Sequence, residues 1–227
     1  MPSSWRQTLL VPIPKQTHPK NENDYRRICL TSTGYKMYAS WKLNELISCT
    51  HPIGYHQAAF LHNRSTMDHL FVVKRVLEEK WNAGDDIVLM SIDISKAFDN
   101  ISLKDFPKIL YQKGALSGVI ARVIECVREE TYQTLWNGLK STRESRRKGI
   151  KQGCPLSPYL FDLIIEDVLK KRKRNSMFFF VSDQEHNIRY PIILVYADDI
   201  LIIACSKEQL DIIVPVLKKH LEEMNLH

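Results

Sequence analysis

Two adjacent acidic residues, Asp198 and Asp199, lie between two apolar runs of the sequence, residues 191–195 and 200–204. Apolar runs that are rich in β-branched side chains and joined by a short polar turn predict a β-hairpin with the two carboxylates at its tip. Neighbouring carboxylates repel each other unless a cation lies between them, and a divalent metal ion is the simplest cation for such oxygen ligands. Taken alone, an Asp-Asp turn is more often a solvated loop.

A third acid, Asp93, ends an apolar run that begins at Val88 and predicts a buried strand. A strand-terminal Asp is by itself often only a helix cap. One acid at the end of a strand and two on a hairpin can, however, converge on a pair of Mg²⁺ ions, which clamp the attacking and leaving oxygens of an in-line phosphoryl transfer. The three acids together therefore predict a two-metal site for phosphoryl transfer.

The segment between these acids contains a turn with the sequence Gln152-Gly153-Cys154-Pro155-Leu156-Ser157-Pro158, followed by an apolar stretch that predicts a helix. A strand-borne Asp, an aromatic residue five positions later, this Gln-Gly turn and a Tyr-Ala-Asp-Asp motif follow one another here in an order that resembles the reverse transcriptases. The Cys-Pro-Leu-Ser-Pro sequence is similar to the enzymes of LINE-type (non-LTR) retrotransposons rather than to those of group II introns. The resemblance implies an α+β fold with the fingers and palm of a right-hand polymerase, in which helices back an antiparallel palm sheet.

The resemblance also implies roles for the acids and their neighbours. Asp93 and Asp198 would bind both metal ions, Asp199 would be the third acid, and the carbonyl oxygen of Ile94 would add a ligand. The ions would be two Mg²⁺, with Mn²⁺ as an alternative. Phe98 would stack under the deoxyribose of the incoming nucleotide, although an aromatic residue at this position could also be a plain core residue.

Further residues would bind the nucleotide. Gln152 would lie near the incoming sugar and the template base, and Gly153 would let the backbone approach closely. Near the N-terminus, the sequence around Lys15 and Arg26 is similar to the fingers hairpin of the family, whose Lys and Arg hold the triphosphate. Arg27 stands where the family has a Pro.

Domain boundaries are inferred from the same resemblance. Residues 1–227 would form one reverse transcriptase domain, with fingers at about 1–85 and 116–148 and a palm at about 86–115 and 149–227. In the family, the helix expected at 207–223 leads to a primer-gripping hairpin and a helical thumb. We therefore expect a C-terminally truncated chain that lacks the thumb.

Composition limits the class of protein. With 44% apolar residues and 8 Gly and 10 Pro, the chain is globular, and no apolar run is long enough to cross a membrane. The five scattered cysteines indicate reduced thiols of an intracellular protein. The net charge of +6 fits nucleic-acid binding, and basic residues crowd the approach to the Gln-Gly turn, namely Lys140, Arg143, Arg146, Arg147, Lys148 and Lys151. A second cluster, residues 170–174, is either a nucleic-acid contact or the cationic end of a helix.

The predicted function is RNA-templated DNA synthesis in a retrotransposon, with an RNA template, a DNA primer or nicked target DNA, and dNTP as partners. We expect a nuclear protein with no membrane association, and the sequence leaves the oligomeric state open. An alternative is a catalytically inactive relic or domesticated fragment that keeps nucleic-acid binding. A nucleotide cyclase on a similar palm is a third reading, but the Gln-Gly turn and the fingers hairpin would have no purpose there.

Hydrophobic periodicity adds a coarse secondary structure. It predicts helices over 34–48, 66–83, 116–130 and 207–223, and a further helix that begins near Asn100 to Ser102 and runs through Tyr111. Leu70, Val73, Leu77 and Trp81 form one apolar stripe on the second helix. Asn137-Gly138 predicts the tight turn of a second hairpin.

Overall fold

The computed structural model describes residues 1–128, 130–145, 148–170, 181–182 and 189–226. The chain divides into two compact units: unit 1 comprises Met1–Pro52 and Phe98–Leu160, and unit 2 comprises Ile53–Ala97 and Phe161–His227. This division does not coincide with the boundaries expected from the sequence, because residues 53–85 group with the acid-bearing strands. The names fingers and palm remain a prediction.

Strands and helices alternate irregularly along the chain, as expected for an α+β protein. The strands are β1 (Gln7–Pro14), β2 (Tyr25–Leu30), β3 (Val88–Asp93), β4 (Thr131–Trp136), β5 (Leu139–Lys140), β6 (Glu144–Ser145), β7 (Val181–Ser182), β8 (Arg189–Tyr190), β9 (Ile193–Tyr196) and β10 (Asp199–Ala204). The helices are α1 (Thr33–Cys49), α2 (Thr66–Ala83), α3 (Ala97–Asn100), α4 (Phe106–Gln112), α5 (Ser117–Val127), α6 (Leu156–Lys170) and α7 (Lys207–Glu223), with 3₁₀ turns at Ser3–Arg6 and Glu22–Asp24. Among the described residues, no helix is long and apolar enough to span a membrane.

The sheet of unit 1 has the strand order β2-β1-β4-β5, with β6 paired to β4. β1 and β2 form an antiparallel hairpin, whereas β1 and β4 run parallel. The predicted turn between β4 and β5 is confirmed: Asn137 and Gly138 both have positive φ, 47° and 81°, as the twist of a two-residue hairpin requires. Helices α1 and α5 bury one face each, with Ala39 and Leu46 on α1 and Val123 on α5 fully buried.

The sheet of unit 2 has the order β3-β10-β9, and both neighbouring pairs are antiparallel. Capped helices precede and follow these strands in the chain, α2 before β3 and α7 after β10. Ser65 and Asp68 form a capping box at the start of α2, and Gly84 ends that helix in the left-handed conformation. Ser206 caps α7, whose bounds agree with the predicted helix over 207–223. These caps explain why the periodic segments begin and end where the sequence indicated.

The helix expected to begin near Asn100 and Ser102 was predicted wrongly. A single turn, α3, ends at Asn100, and α4 begins only at Phe106, directly before Pro107. The carbonyl oxygens of Phe98 and Ile101 accept hydrogen bonds from Ile150 and Gly149, so this part of the chain is held by a distant segment and not by helical hydrogen bonds alone. Pro107 suits a first helical turn, because its missing N–H has no partner there.

The apolar stripe of α2 lies on the exposed side of that helix. Leu70 is 59% exposed and Trp81 86% exposed, while Val76 is the buried residue of the helix. Helix α6 is the opposite case, since apolar side chains all around it are buried, as is typical of a helix inside a core. Two acids on α6, Asp162 and Glu166, are buried with them.

Candidate active site

Asp93 and Asp199 occupy directly opposite positions on β3 and β10. Residues paired in this way place their Cβ atoms roughly 4.5–5.5 Å apart, and like charges so placed are destabilising. Both side chains are exposed, and Asp198 is half-buried in the adjoining turn. The strand pairing within unit 2 therefore brings three acidic positions to one end of the sheet.

A two-residue turn, Ala197-Asp198, joins β9 to β10 and is closed by the pairing of Tyr196 with Asp199. Ala197 has φ 56°, a left-handed conformation that costs an L-residue about 1–2 kcal/mol. The carbonyl oxygen of Asp198 accepts a hydrogen bond from the backbone N–H of Ile94 at 3.1 Å. This bond ties the turn to the residue after Asp93, and strain of this kind is typical of functional sites.

The donor set suits a hard divalent cation, because exposed carboxylate oxygens are the ligands that Mg²⁺ prefers. Within the part of the chain that the structure describes, no three acid, imidazole or thiol side chains converge closely enough to hold a metal ion. The strand pairing and the adjoining turn thus supply the positions of the three acids. The assignment of Asp93, Ile94, Asp198 and Asp199 as metal ligands remains a prediction.

The residues expected to hold the nucleotide all belong to unit 1. Arg26 lies on β2 opposite Ile13, and Lys15 follows the end of β1. Lys15 donates to the carbonyl of Asn23 at 3.1 Å through its Nζ, and its N–H donates to the carbonyl of Asp24 at 2.8 Å. The two cations are exposed at the same end of the β1–β2 hairpin. Arg27, which replaces the Pro of the family, pairs with Pro12, so the ladder fixes the backbone there.

The Gln-Gly turn is hydrogen-bonded to β2. The N–H of Cys29 donates to the carbonyl of Gln152 at 2.8 Å. Gly153 has φ 111°, and a Cβ at this position would lie 2.9 Å from the carbonyl oxygen of Cys29. Gly153 therefore permits the turn to approach the backbone of Cys29 on β2 closely.

Phe98 is half-buried, and its carbonyl accepts a hydrogen bond of 2.7 Å from Ile150, two residues before Gln152. Gly149 makes this approach feasible. It has φ 81°, and a Cβ there would lie 2.6 Å from the carbonyl oxygen of Asp99. Backbone hydrogen bonds thus join Gln152 to Cys29 of β2, and Phe98 to Ile150 just before the Gln-Gly turn. Sequence reasoning missed Gly149.

Lys151 does not belong to the basic surface to which the sequence assigned it. Its side chain is 1% exposed, and its Nζ lies 2.9 Å from Glu130 Oε1 and 4.0 Å from the centroid of the Tyr35 ring. The Tyr35 hydroxyl is 3.1 Å from Cys154 Sγ and donates to the carbonyl of Cys126. Burial raises the pKa of the Tyr35 hydroxyl and raises the pKa of the Cys126 thiol to about 12. Two members of this buried polar cluster, Lys151 and Cys154, lie directly before and directly after Gln152-Gly153 in the sequence.

The other residues of the two basic clusters are either exposed or lie outside the described residues. Lys140 ends β5 and Arg143 directly precedes β6, and both are exposed. Lys148 donates to Asn100 Oδ1 at 3.1 Å. The expected contributions of Arg146, Arg147 and the side chains of residues 170–174 lie outside the described residues. The five cysteines are free thiols, as the sequence indicated.

The fold is shared with solved structures of telomerase. A solved structure of telomerase from Candida albicans, in complex with the TWJ fragment of telomeric RNA, matches 99% of this chain with a TM-score of 0.65 and 14% identity, and the match covers 42% of the telomerase chain. A structure of apo telomerase from Candida tropicalis, truncated from its C-terminal domain, matches 96% of this chain with a TM-score of 0.59 and 12% identity, over 46% of that chain.

The particular family follows from the sequence match. The model of the family described as "Reverse transcriptase (RNA-dependent DNA polymerase)" matches residues 13–227, and the chain belongs to that family. It is 28% identical over 173 residues to the Pol polyprotein of the type-2 retrotransposable element R2DM of Drosophila melanogaster, covering 75% of this chain. It is 26% identical over 212 residues to the RNA-directed DNA polymerase from mobile element jockey of the same fly, and 25% identical over 210 residues to an uncharacterized 149 kDa protein of transposon TX1 of Xenopus laevis, covering 91% and 90% of this chain.

These relatives confirm the resemblance to LINE-type (non-LTR) retrotransposon enzymes. The chain spans only 16% of the R2DM protein, 22% of the jockey polymerase and 15% of the TX1 protein.

Proposed function

We propose that this chain is the polymerase domain of a LINE-type retrotransposon protein and that it copies an RNA template into DNA by adding dNTPs to a primer 3′-hydroxyl. The observation that carries the proposal is the placement of Asp93 opposite Asp199, with Asp198 in the adjoining strained turn. Family membership over residues 13–227 supports the same reaction.

The acids are the proposed catalytic residues. Two Mg²⁺ ions held by Asp93, Asp198, Asp199 and the carbonyl of Ile94 would activate the primer hydroxyl and neutralise the charge that develops on the triphosphate. Phosphoryl transfer depends mainly on positioning and electrostatics, so the protein's own contribution is to hold these carboxylates at one edge of a fixed sheet.

The residues of unit 1 bind the nucleotide in this proposal. Lys15 and Arg26 are exposed cations and would hold the triphosphate by charge-assisted hydrogen bonds. The ring of Phe98 would lie under the deoxyribose and exclude a 2′-hydroxyl. Gln152, fixed through its backbone to Cys29, would hydrogen-bond near the sugar and the template base.

The partners are an RNA template, a DNA primer or nicked target DNA, and dNTP. The exposed cations Lys140 and Arg143 add a basic surface that suits a phosphate backbone, and binding through such cations weakens as salt rises. If the primer is nicked target DNA, the protein would act in the nucleus.

Primer extension by the purified full-length protein tests the proposal. An oligo(dT) primer on poly(rA) and on poly(dA) would be supplied with dTTP and Mg²⁺, and Asp198→Asn would be compared with the exposed control Asp211→Asn on α7. We expect extension on poly(rA) that Asp198→Asn reduces by more than about tenfold and Asp211→Asn leaves unchanged. Binding of the primer–template by the wild-type protein without extension would overturn the proposal and favour an inactive relic.

A further inference from the structure

A short segment of unit 2, residues 56–58, pairs with the edge of β9 that faces away from β10. The N–H of Val195 donates to the carbonyl of His56 at 2.7 Å, and the N–H of Ala58 donates to the carbonyl of Val195 at 3.1 Å. Gln57 and Val195 form a parallel bridge. Because Val195 precedes Tyr196, this segment holds the strand that enters the acid-bearing turn.

One guanidinium holds this segment in place. Arg64 donates through Nη1 to the carbonyls of Gly54 at 2.5 Å and Gln57 at 2.8 Å, and through Nη2 to the carbonyl of Ile53 at 2.8 Å. Its guanidinium also lies 5.2 Å from the centroid of the Tyr55 ring. A planar guanidinium offers five N–H donors in a fixed arrangement, which the single ammonium of a lysine does not reproduce.

A buried acid of α6 holds the same segment through different atoms. Glu166 Oε2 accepts a hydrogen bond from the N–H of Gly54 at 3.1 Å and lies 2.8 Å from His56 Nε2. Glu166 is 2% exposed, so these contacts are shielded from water. Residues 53–58 are therefore bound by Arg64 through their carbonyls and by Glu166 through an N–H and an imidazole.

We propose that Arg64 is a positioning residue for the acids at the β9–β10 turn, an inference that rests on the proposed polymerase function. Arg64 holds residues 53–57, and the backbone of His56 and Ala58 in turn holds Val195. Val195 belongs to the strand that leads through Tyr196 to the Asp198-Asp199 pair. The guanidinium of Arg64 donates to backbone carbonyls of residues 53–57, so its loss should alter the step that needs the acids and spare nucleotide affinity.

The test compares Arg64→Lys and Arg64→Ala in the full-length protein with Arg75→Lys on α2, an arginine whose salt bridges are to Glu78 and Glu79. All rates are normalised to the fraction of natively folded protein. For Arg64→Lys we expect kcat for nucleotide addition to fall by roughly 10- to 100-fold, the loss typical of a small misplacement of reacting groups. The Mg²⁺ concentration for half-maximal rate should rise severalfold and the KM for dNTP should stay within about twofold. Guanidinium ion at low millimolar concentration should partly restore Arg64→Ala, and Arg75→Lys should match wild type.

Amide hydrogen exchange without nucleotide separates this inference from the proposed function. Exchange of residues 56–58 and 193–199 should be faster in Arg64→Lys than in wild type, and unchanged in Arg75→Lys. Unaltered exchange over 193–199 would overturn the inference even in a protein that proved inactive. In an active protein, a normalised kcat and Mg²⁺ dependence within twofold of wild type would overturn it as well, as would a loss confined to KM.

Discussion

Asp93 and Asp199 are cross-strand partners: they face each other at the end of the β3–β10 ladder, one residue from Asp198. Two exposed acids at directly paired positions weaken a sheet, and the turn beside them holds Ala197 in a left-handed conformation. The paired acids and the left-handed Ala197 are both destabilising and lie at the same place, which indicates that concentrated negative charge has a function there. We propose that this function is the binding of divalent cations for nucleotidyl transfer.

Gly149→Ala should destabilise the protein strongly. Its φ is 81°, and the new Cβ would lie 2.6 Å from a backbone carbonyl of Asp99, which cannot move like a flexible side chain. Gly138→Ala is the matched control, because its φ is also 81° and no heavy atom lies within 4 Å of the added Cβ. We expect Gly138→Ala to cost about 1 kcal/mol and Gly149→Ala at least about 2 kcal/mol more in urea unfolding. Equal costs would show that the close approach to Phe98 and Asp99 is absent.

The buried ion pair of Lys151 and Glu130 leads to a second prediction. Lys151→Met leaves a carboxylate that is 3% exposed without its partner, and breaking such a pair costs about 3–5 kcal/mol. The double variant Lys151→Met, Glu130→Met removes both charges and should recover most of the loss. Chemical denaturation of the single and double variants measures the coupling. A single variant within 1 kcal/mol of wild type would show that Lys151 is solvated, as the sequence first suggested.

Asp162 should make stability depend on pH. Burial raises the pKa of this carboxyl to about 8; Glu166 acts in the same direction and Arg64 opposes it. The folded state therefore holds the proton more tightly than the unfolded chain, whose ordinary value is 3.8. The stability from this group is complete below pH 4 and is lost as the pH rises toward 8, with a slope of about 1.4 kcal/mol per pH unit.

Asp162→Asn keeps the size and shape of the protonated carboxyl and removes its contribution to the pH dependence of stability. In urea unfolding at pH 5, 6, 7 and 8, the free energy of unfolding of Asp162→Asn should rise relative to that of wild type as the pH rises. The control Asp211→Asn, on the exposed face of α7, should show the same pH dependence as wild type. Parallel curves for Asp162→Asn would mean that the carboxyl is already ionised at neutral pH.

Phe98→Val should admit ribonucleotides. The half-buried ring is proposed to fill the space that a 2′-hydroxyl needs, and a smaller side chain would open that space. The measurement is the ratio of kcat/KM for a ribonucleotide to that for the matching deoxynucleotide, with Phe71→Val on α2 as the control. An unchanged ratio would reduce Phe98 to a packing residue.

The sequence predicted the elements that carry local signals. The Asp-Asp hairpin, the turn at Asn137-Gly138 and helix α7 each have flanking apolar runs or capping residues that act over a few positions. Periodicity identified α2 as a helix, but it could not tell that Val76, rather than Leu70 and Trp81, faces the core. Burial depends on what packs against a helix, and that is not a local property.

The contacts that sequence reasoning missed join distant residues through backbone atoms. Arg64 binds three carbonyls, which every residue type possesses, so the resemblance of residues 57–66 to a template-facing segment of the family did not indicate these bonds. Lys151 was grouped with its basic neighbours, because its partner Glu130 lies in another element. Gly149 was overlooked because its positive φ and the approach of Asp99, which together make glycine necessary there, do not show in the local sequence.

The central claim is that the acids of the β3–β10 ladder catalyse nucleotide addition. The most direct measurement is the single-turnover rate of adding one dNTP to a DNA primer on an RNA template, for wild type, Asp93→Asn, Asp199→Asn and the control Asp211→Asn, at equal folded concentration and across a Mg²⁺ titration. We predict that Asp93→Asn and Asp199→Asn each lower the rate by more than about tenfold at every Mg²⁺ concentration, and that Asp211→Asn matches wild type. Retention of more than about a tenth of the wild-type rate by either variant would contradict the claim.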